Sequence, residues 1–413
     1  MNVRRSAAVL AATAVIGAAT PAVAASPSPS PSVAVPSGLY GSTDPTYDGV
    51  WRQSLALLAQ DTAGVQPAEK AVNWLTGQQC ANGAFAAFRA DPAEACDAML
   101  MVDTNSTAAA VQALAALGGH EAETKKAVTW LKSVQNADGG WGYAPGGASD
   151  TNSTSVVVGA LAAAGEDPSK VVKGDRSPYD TLMKLALACD AGGAFAYQPD
   201  KQGKLSANAD ATAAGVLGAL GKGLAPEAGQ KTDPAACADA GNPTPQQAAG
   251  NGAAYLARSV AKDGYLKSAL PGATDQPDYG NTADAVVALA AQGGAEQAQK
   301  PLKWLEQNAG AWAKQSGPAA YAQLIFAAHA TGTDPRAFGG TDLVAALNAT
   351  GPTPQSTDKT ATDKADDDQG EKDTDDDSKD SDDGYGTWWT IGVFLVAGIG
   401  IGFLISGRRK QQP

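Results

Sequence analysis

The residues with the most chemistry to offer stand in short polar clusters at the heads of alanine-rich stretches. Asp103-Thr104-Asn105-Ser106-Thr107 and Asp150-Thr151-Asn152-Ser153-Thr154 are near copies, and Asn208-Ala209-Asp210 and Asn281-Thr282-Ala283-Asp284 are shorter versions. Side chains of these types have two uses. In the first turn of a helix they accept bonds from free backbone N–H groups, and capping alone explains them. Gathered around one opening, Asp103, Asn105, Asp150, Asn152, Asn208, Asp210, Asn281 and Asp284 would instead hold a neutral or weakly charged ligand by hydrogen bonds, beside the positive ends of several helices. Trp141 and Tyr143, with Phe85, Phe88, Phe195 and Tyr197, would add stacking surface there or pack between neighbouring units.

Other chemistry is thin. The chain has two histidines, of which His120 reads as a solvated loop residue and His329 as an interior helix residue. No H-E-x-x-H, nucleophile-elbow or phosphate-loop pattern occurs, and no metal site is expected. The four cysteines, Cys80, Cys96, Cys189 and Cys237, suit an oxidising compartment. Three pairings are possible; the local ones, Cys80 with Cys96 and Cys189 with Cys237, are expected because each would staple one long loop. The sequence supplies no cofactor motif.

An internal repeat is the framework that must position these residues. Ala127-Val128-Thr129-Trp130-Leu131 echoes Ala71-Val72-Asn73-Trp74-Leu75, and each is followed by Q-x-x-x-G-x-aromatic: Gln79, Gly83, Phe85 and Gln135, Gly139, Trp141. Weaker copies begin at Gly193-Ala194-Phe195, Tyr255-Leu256 and Trp304-Leu305. Each unit reads as an outer helix A, a glycine-aromatic turn, a polar loop and an alanine-rich inner helix B. Gly118-Gly119, Gly165 and Gly221 stop the B helices. Val50 to Ala59 resembles a B helix lacking its A, and Thr341 to Leu347 an A lacking its B. Twelve helices therefore suggest an all-α, six-hairpin α/α toroid over residues 46–350, closed by pairing of the two end halves.

The ends have separate characters. Arg4-Arg5, the apolar run Ala7 to Ala19 and Ala22-Val23-Ala24 form a secretory signal over 1–25. A Ser/Pro-rich linker (26–45) follows. Residues 351–386 form an acidic linker; Asp358 to Asp383 holds thirteen acidic against four basic residues, a net −9 of the chain's −13. Such a run is expected to be disordered, and its charge argues against nucleic acid as a partner. Residues 387–406 read as a transmembrane helix, and Arg408-Arg409-Lys410 in the tail (407–413) places that end in the cytoplasm. The expected location is the cell membrane, single-pass, with the toroid outside. Gly398 and Gly402 leave the oligomeric state open.

The A-V-x-W-L helices and Q-x-x-x-G-W/F turns resemble the prenyltransferase/squalene-oxidase repeat of terpenoid cyclases and protein prenyltransferases, over Asp48 to Leu347. The resemblance implies the six-hairpin barrel, with the glutamine tightening its turn; Cys189 stands where the third glutamine belongs. Asp373-Thr374-Asp375-Asp376 and Asp380-Ser381-Asp382-Asp383 match the D-x-D-D acid of squalene-type cyclases, but they lie in the acidic run and are given no role. Val102-Asp103-Thr104 before an alanine-rich helix is similar to helix starts of the transcobalamin and intrinsic-factor α-domain, which implies cobalamin as a possible ligand. The first expectation is thus a non-catalytic surface protein that captures a small ligand, such as a corrinoid, for an uptake system. The alternatives are an extracellular enzyme acting on terpenoids or polysaccharides, and an adhesive or structural module.

Overall fold

The computed structural model describes residues 34–355 apart from 232–236, 240, 271–272 and 274. The signal, residues 26–33 of the Ser/Pro-rich linker, the acidic run from 356, the apolar stretch 387–406 and the basic tail lie outside the described residues. Among the described residues, no helix is long and apolar enough to cross a membrane.

Thirteen α-helices occur there. They are α1 (Gly49–Thr62), α2 (Glu69–Gly77), α3 (Thr104–Leu117), α4 (Glu121–Ser133), α5 (Thr151–Ala163), α6 (Pro178–Leu185) and α7 (Ala209–Ala219). Then follow α8 (Pro245–Ala261), α9 (Tyr279–Ala291), α10 (Ala295–Asn308), α11 (Gly310–Ser316), α12 (Pro318–Thr331) and α13 (Leu343–Asn348). Two residue pairs, β1 (Leu266–Lys267) and β2 (Pro277–Asp278), add a minimal antiparallel ladder.

Helices α1, α3, α5, α7, α9 and α12 each pack on the next, and α12 returns to α1. The helices of this inner ring are buried nearly all round: Thr151 to Leu161 of α5 is buried without a break, its polar first turn included. Alanine and glycine let the helices approach closely; a methyl added at Gly218 of α7 would sit 2.4 Å from Ser155 Oγ of α5. The outer helices α2, α4, α6, α8, α10 and α13 bury one stripe each, anchored by Leu75, Leu131, Leu182, Leu256, Leu305 and Leu347.

The hairpins differ from expectation in their phase. Each inner helix pairs with the outer helix that follows it, so α1 joins α2 and α12 joins α13. The first and last helices are not unpaired halves. The cause is the joint: Gly118 and Gly119, both at positive φ (68° and 73°), fold α4 straight back onto α3, whereas the path from outer to next inner helix is long. The ends still meet, through Gln60 Nε2 donating to Asn348 Oδ1 (2.7 Å) and Gly41 N to Thr350 O (2.8 Å).

The repeat glutamine does more than tighten its turn. Gln135 Nε2 donates to Gly139 O in its own turn (2.8 Å) and to Val171 O beyond the next inner helix (3.1 Å). Gln79 does the same with Gly83 O (3.1 Å) and Glu123 O of α4 (2.8 Å). In the third repeat Ala186, not Cys189, holds this register, since Ala186 bridges Phe195 as Gln79 bridges Phe85. Cys189 begins an inserted turn of 3-10 helix, and its disulfide to Cys237 ties that turn to the later loop. Cys80 pairs with Cys96.

The connection after α7 crosses the end of the ring where the inner helices finish. Leu224 N donates to Gln112 Oε1 of α3 (2.8 Å), Gly229 N to Ala290 O of α9 (2.9 Å), and Glu227 meets His329 of α12 (3.3 Å). The ring is therefore a cup, spanned at its base, with the helix N-termini at its other end.

Replacing Gln135 by alanine removes two buried bonds and leaves two carbonyls unmatched. The expected loss is about 2 kcal/mol of unfolding free energy, read by urea denaturation; an unchanged midpoint would contradict the bridging role.

Candidate functional site at the mouth of the ring

Four inner helices begin with one device. Asp103, Asp150, Asn208 and Asp278 accept the backbone N–H three residues on, at 2.6, 2.7, 2.8 and 3.0 Å. Four residues after each cap stands a threonine whose hydroxyl accepts the backbone N–H of the glycine-aromatic turn. These are Phe85 N to Thr107 (2.9 Å), Trp141 N to Thr154 (3.1 Å), Phe195 N to Thr212 (3.0 Å) and Leu266 N to Thr282 (3.0 Å). Cap and threonine together fix the rotation of each inner helix.

That rotation decides what enters the cup. Two residues after the cap come Asn105, Asn152 and Asp210 in equivalent positions. Asn152 Nδ2 donates to Asp210 Oδ2 across two helices (2.8 Å). One turn deeper, Gln323 of α12 donates to both carboxyl oxygens of Asp284 (3.2 Å each). Asp210 and Asp284 are enclosed by protein but keep part of their surface accessible to water, which puts them on the wall of the cup rather than in packed core. Asn105 and Asn152 are only 3% and 4% exposed, and the side-chain oxygens of both, with those of Asn281 and one of Asp103, lack a partner in the protein.

The electrostatics are one-sided. Burial, reinforced by the Asp284 carboxylate, pushes Asp210 up to about 8, and burial pushes Asp284 up to about 7. Asp103 and Asp150 rise to about 6 through burial, held back by the N–H groups they cap. Burial and Asp103 lift Tyr143 to about 12, and burial with Asp150 raises Tyr197 further. No lysine or arginine among the described residues forms an ion pair with these carboxyls. Such a set can bind hydrogen-bond donors when ionised, or give up a proton near neutral pH.

The structure thus separates the sequence candidates. Asn152, Asp210 and Asp284 come together, with Asn105 in register. Asp103, Asp150 and Asn208 serve as caps. Asn281 is not a cap: its backbone N–H and its amide both donate to Asp278, which is the true start of α9. Trp141 is structural, 1% exposed with its indole N–H on Leu131 O (2.7 Å), because it fills the joint between hairpins. Tyr143 is half-buried beside Asp103. His329 is not interior: a quarter of its side chain is exposed, and it rims a cavity of about 390 Å³ with Arg336 and Thr62 at the opposite end. Sequence reasoning missed Asp278, Gln323 and Trp312. The Asp278–Thr282 spacing, identical to Asp103–Thr107, signals the first. Gln323 is the long polar residue in the otherwise apolar Ala322–Ala328 stretch of α12.

Residues 43–201 match the prenyltransferase alpha-alpha toroid domain. No curated protein matches the sequence. Among solved structures, the chain is similar to ent-copalyl diphosphate synthase from Streptomyces platensis, at 17% identity and TM-score 0.46 over 69% of this chain and 50% of that one. A protein from Actinoplanes gives 15% identity and TM-score 0.47 over 73% and 96%. A type II terpene cyclase from Scytonema gives 14% and 0.44 over 67% and 74%. The chain spans about half the length of the copalyl diphosphate synthase, and none of these likenesses carries an activity over to it.

The carboxyl shifts set a sign for stability. Folded values raised above the ordinary carboxylate range make the contribution complete below about pH 4 and remove it as pH rises through about 6 to 8. The melting temperature should therefore fall between about pH 5 and pH 9. Asp210→Asn should raise it at pH 8 and flatten the upper part of the decline. A wild-type profile flat across that range would contradict the carboxyl assignments.

Proposed function

We propose that the protein is an exported, membrane-tethered toroid that takes a small organic molecule into the mouth of its inner ring, on the framework that residues 43–201 share with the prenyltransferase alpha-alpha toroid domain. One observation carries the reading: the buried amide oxygens of Asn105 and Asn152 have no partner in the protein, while the amide nitrogen of Asn152 is committed to Asp210. An unpaired buried acceptor costs about 1–3 kcal/mol, and a ligand N–H or O–H would remove that cost. Both amides sit above a cup spanned at its far end, so the mouth is the way in. Export and tethering are supported by the signal residues, the apolar stretch 387–406 and the two disulfides. Capture for an uptake system is the role we propose for a binding domain held outside the membrane.

A second reading is acid catalysis, favoured by the pair Asp210 and Asp284. Two carboxyls whose values lie near neutrality share protons at physiological pH, and one can act as a general acid towards a bound substrate. A terpenoid-cyclase-like or polysaccharide-cleaving enzyme would use this pair rather than the D-x-D-D runs, which lie outside the described residues. The two readings place their ligand in the same mouth and differ in whether it leaves changed.

A corrinoid is the first ligand to test, on the strength of the helix start at Val102-Asp103-Thr104. Cobalamin titrated into the full chain should bind saturably at micromolar concentration or tighter, followed by calorimetry and visible absorbance, and Asn152→Ala should weaken it about tenfold. Unaltered binding by Asn152→Ala would move the site elsewhere. Failure to bind would remove the corrinoid from the account.

A further inference from the structure

The mouth has a chemical bias that narrows its ligand further, given the reading of it as a binding site. Most of the polar atoms left without a partner there are acceptors only: the amide oxygens of Asn105, Asn152 and Asn281 and one carboxyl oxygen of Asp103, with the Thr104 hydroxyl beside them. Around them stand the carboxyls of Asp210 and Asp284, whose partners in the protein are neutral amides, Asn152 and Gln323. Asp210 also feels the like charges of Asp284, Asp278 and Asp150. Buried carboxylates are ordinarily met by a cation, and here no basic side chain among the described residues meets these.

Aromatic rings flank the same place. Tyr279, the first residue of α9, stacks on Trp312 (centroids 5.5 Å apart, planes at 13°) and lies 5.0 Å from the Trp304 ring. A methyl group placed at Gly280 would be 3.4 Å from Gln323 Oε1 and 3.8 Å from the Trp312 ring. Gly280 therefore lies within reach of both the indole and the amide that holds Asp284. Ring faces attract cations, and do so more strongly when desolvated.

We propose that the ligand of the mouth is an organic cation whose ammonium N–H groups reach the Asn152 and Asn105 oxygens and the Asp210 and Asp284 carboxyls, with its carbon skeleton along Trp312. The ammonium supplies both the donors and the charge that the protein withholds. Gly280 leaves room for the skeleton, since a larger side chain there would press on Gln323 and Trp312 together.

The test uses the full chain and two matched pairs of probes, phenethylamine against 2-phenylethanol and putrescine against 1,4-butanediol, with calcium and magnesium chloride alongside. Calorimetry at about pH 7.5 in two buffers of different ionisation enthalpy reads affinity and protons released. At least one amine should bind about tenfold or more tightly than its alcohol and expel a fraction of a proton. Asp210→Asn and Gly280→Leu should each lose that binding, and circular dichroism should show both variants folded. Amine binding that survives Asp210→Asn belongs to the acidic run and overturns the inference, as does binding of the metal salts alone or equal binding of amine and alcohol. If cobalamin binds through Asn152 while every amine fails, the mouth remains a site and only its cationic ligand is lost; if nothing binds there, both fall.

Discussion

The threonine four residues into an inner helix is the hinge of this architecture. Its hydroxyl accepts the N–H of the incoming glycine-aromatic turn, as Thr154 does from Trp141, while the helix it belongs to is capped one turn earlier by Asp150. Without that double tie an alanine-rich helix could rotate, since alanine presents the same small surface on every side. With it, the residues two after the cap in α3, α5 and α7, Asn105, Asn152 and Asp210, are held in equivalent positions. The polar wall of the mouth is thus a by-product of the device that orders the hairpins. The repeat glutamines extend the same logic outward, each linking its own turn to the next hairpin, so that the toroid is assembled from nearest-neighbour ties.

Much of this was legible in the sequence, and the failures have identifiable causes. The A-V-x-W-L and Q-x-x-x-G-aromatic echoes mark hairpins because the apolar period and the turn chemistry agree at Gln79 and Gln135. Cysteine pairing followed from loop position. The phase of the hairpins did not, because both A–B and B–A pairings satisfy the same pattern and only the tight Gly118-Gly119 joint separates them. In the fourth unit Asn281 and Asp284 imitate the polar head seen at Asn208 and Asp210. That likeness hid the register in which Asp278 caps the helix and Asp284 lies a turn deeper. Gln323 and Trp312 come from the fifth unit, whose turn carries the extra helix α11, and nothing local ties them to a mouth built by other helices.

The mouth runs against the rest of the fold. Many polar groups in the ring are matched, as Thr107, Gln112 and Ser153 are; at the mouth Asp210 and Asp284 crowd like charges together, and the amide oxygens of Asn105, Asn152 and Asn281 stand unmatched. A purely structural module would gain nothing from this arrangement, because apolar residues at 210 and 284 would pack the ring at lower cost. The proposed ligand site rests on this tension, and the binding and acid-catalysis readings both draw on it.

The central claim is that this mouth holds protonated carboxyl groups at neutral pH. Infrared difference spectroscopy of the full chain, in water and in heavy water, tests it directly. The account predicts a protonated-carboxyl absorption that persists at pH 7 and loses intensity in Asp210→Asn. Disappearance of that absorption by about pH 5, with every carboxyl ionised above it, would contradict the account.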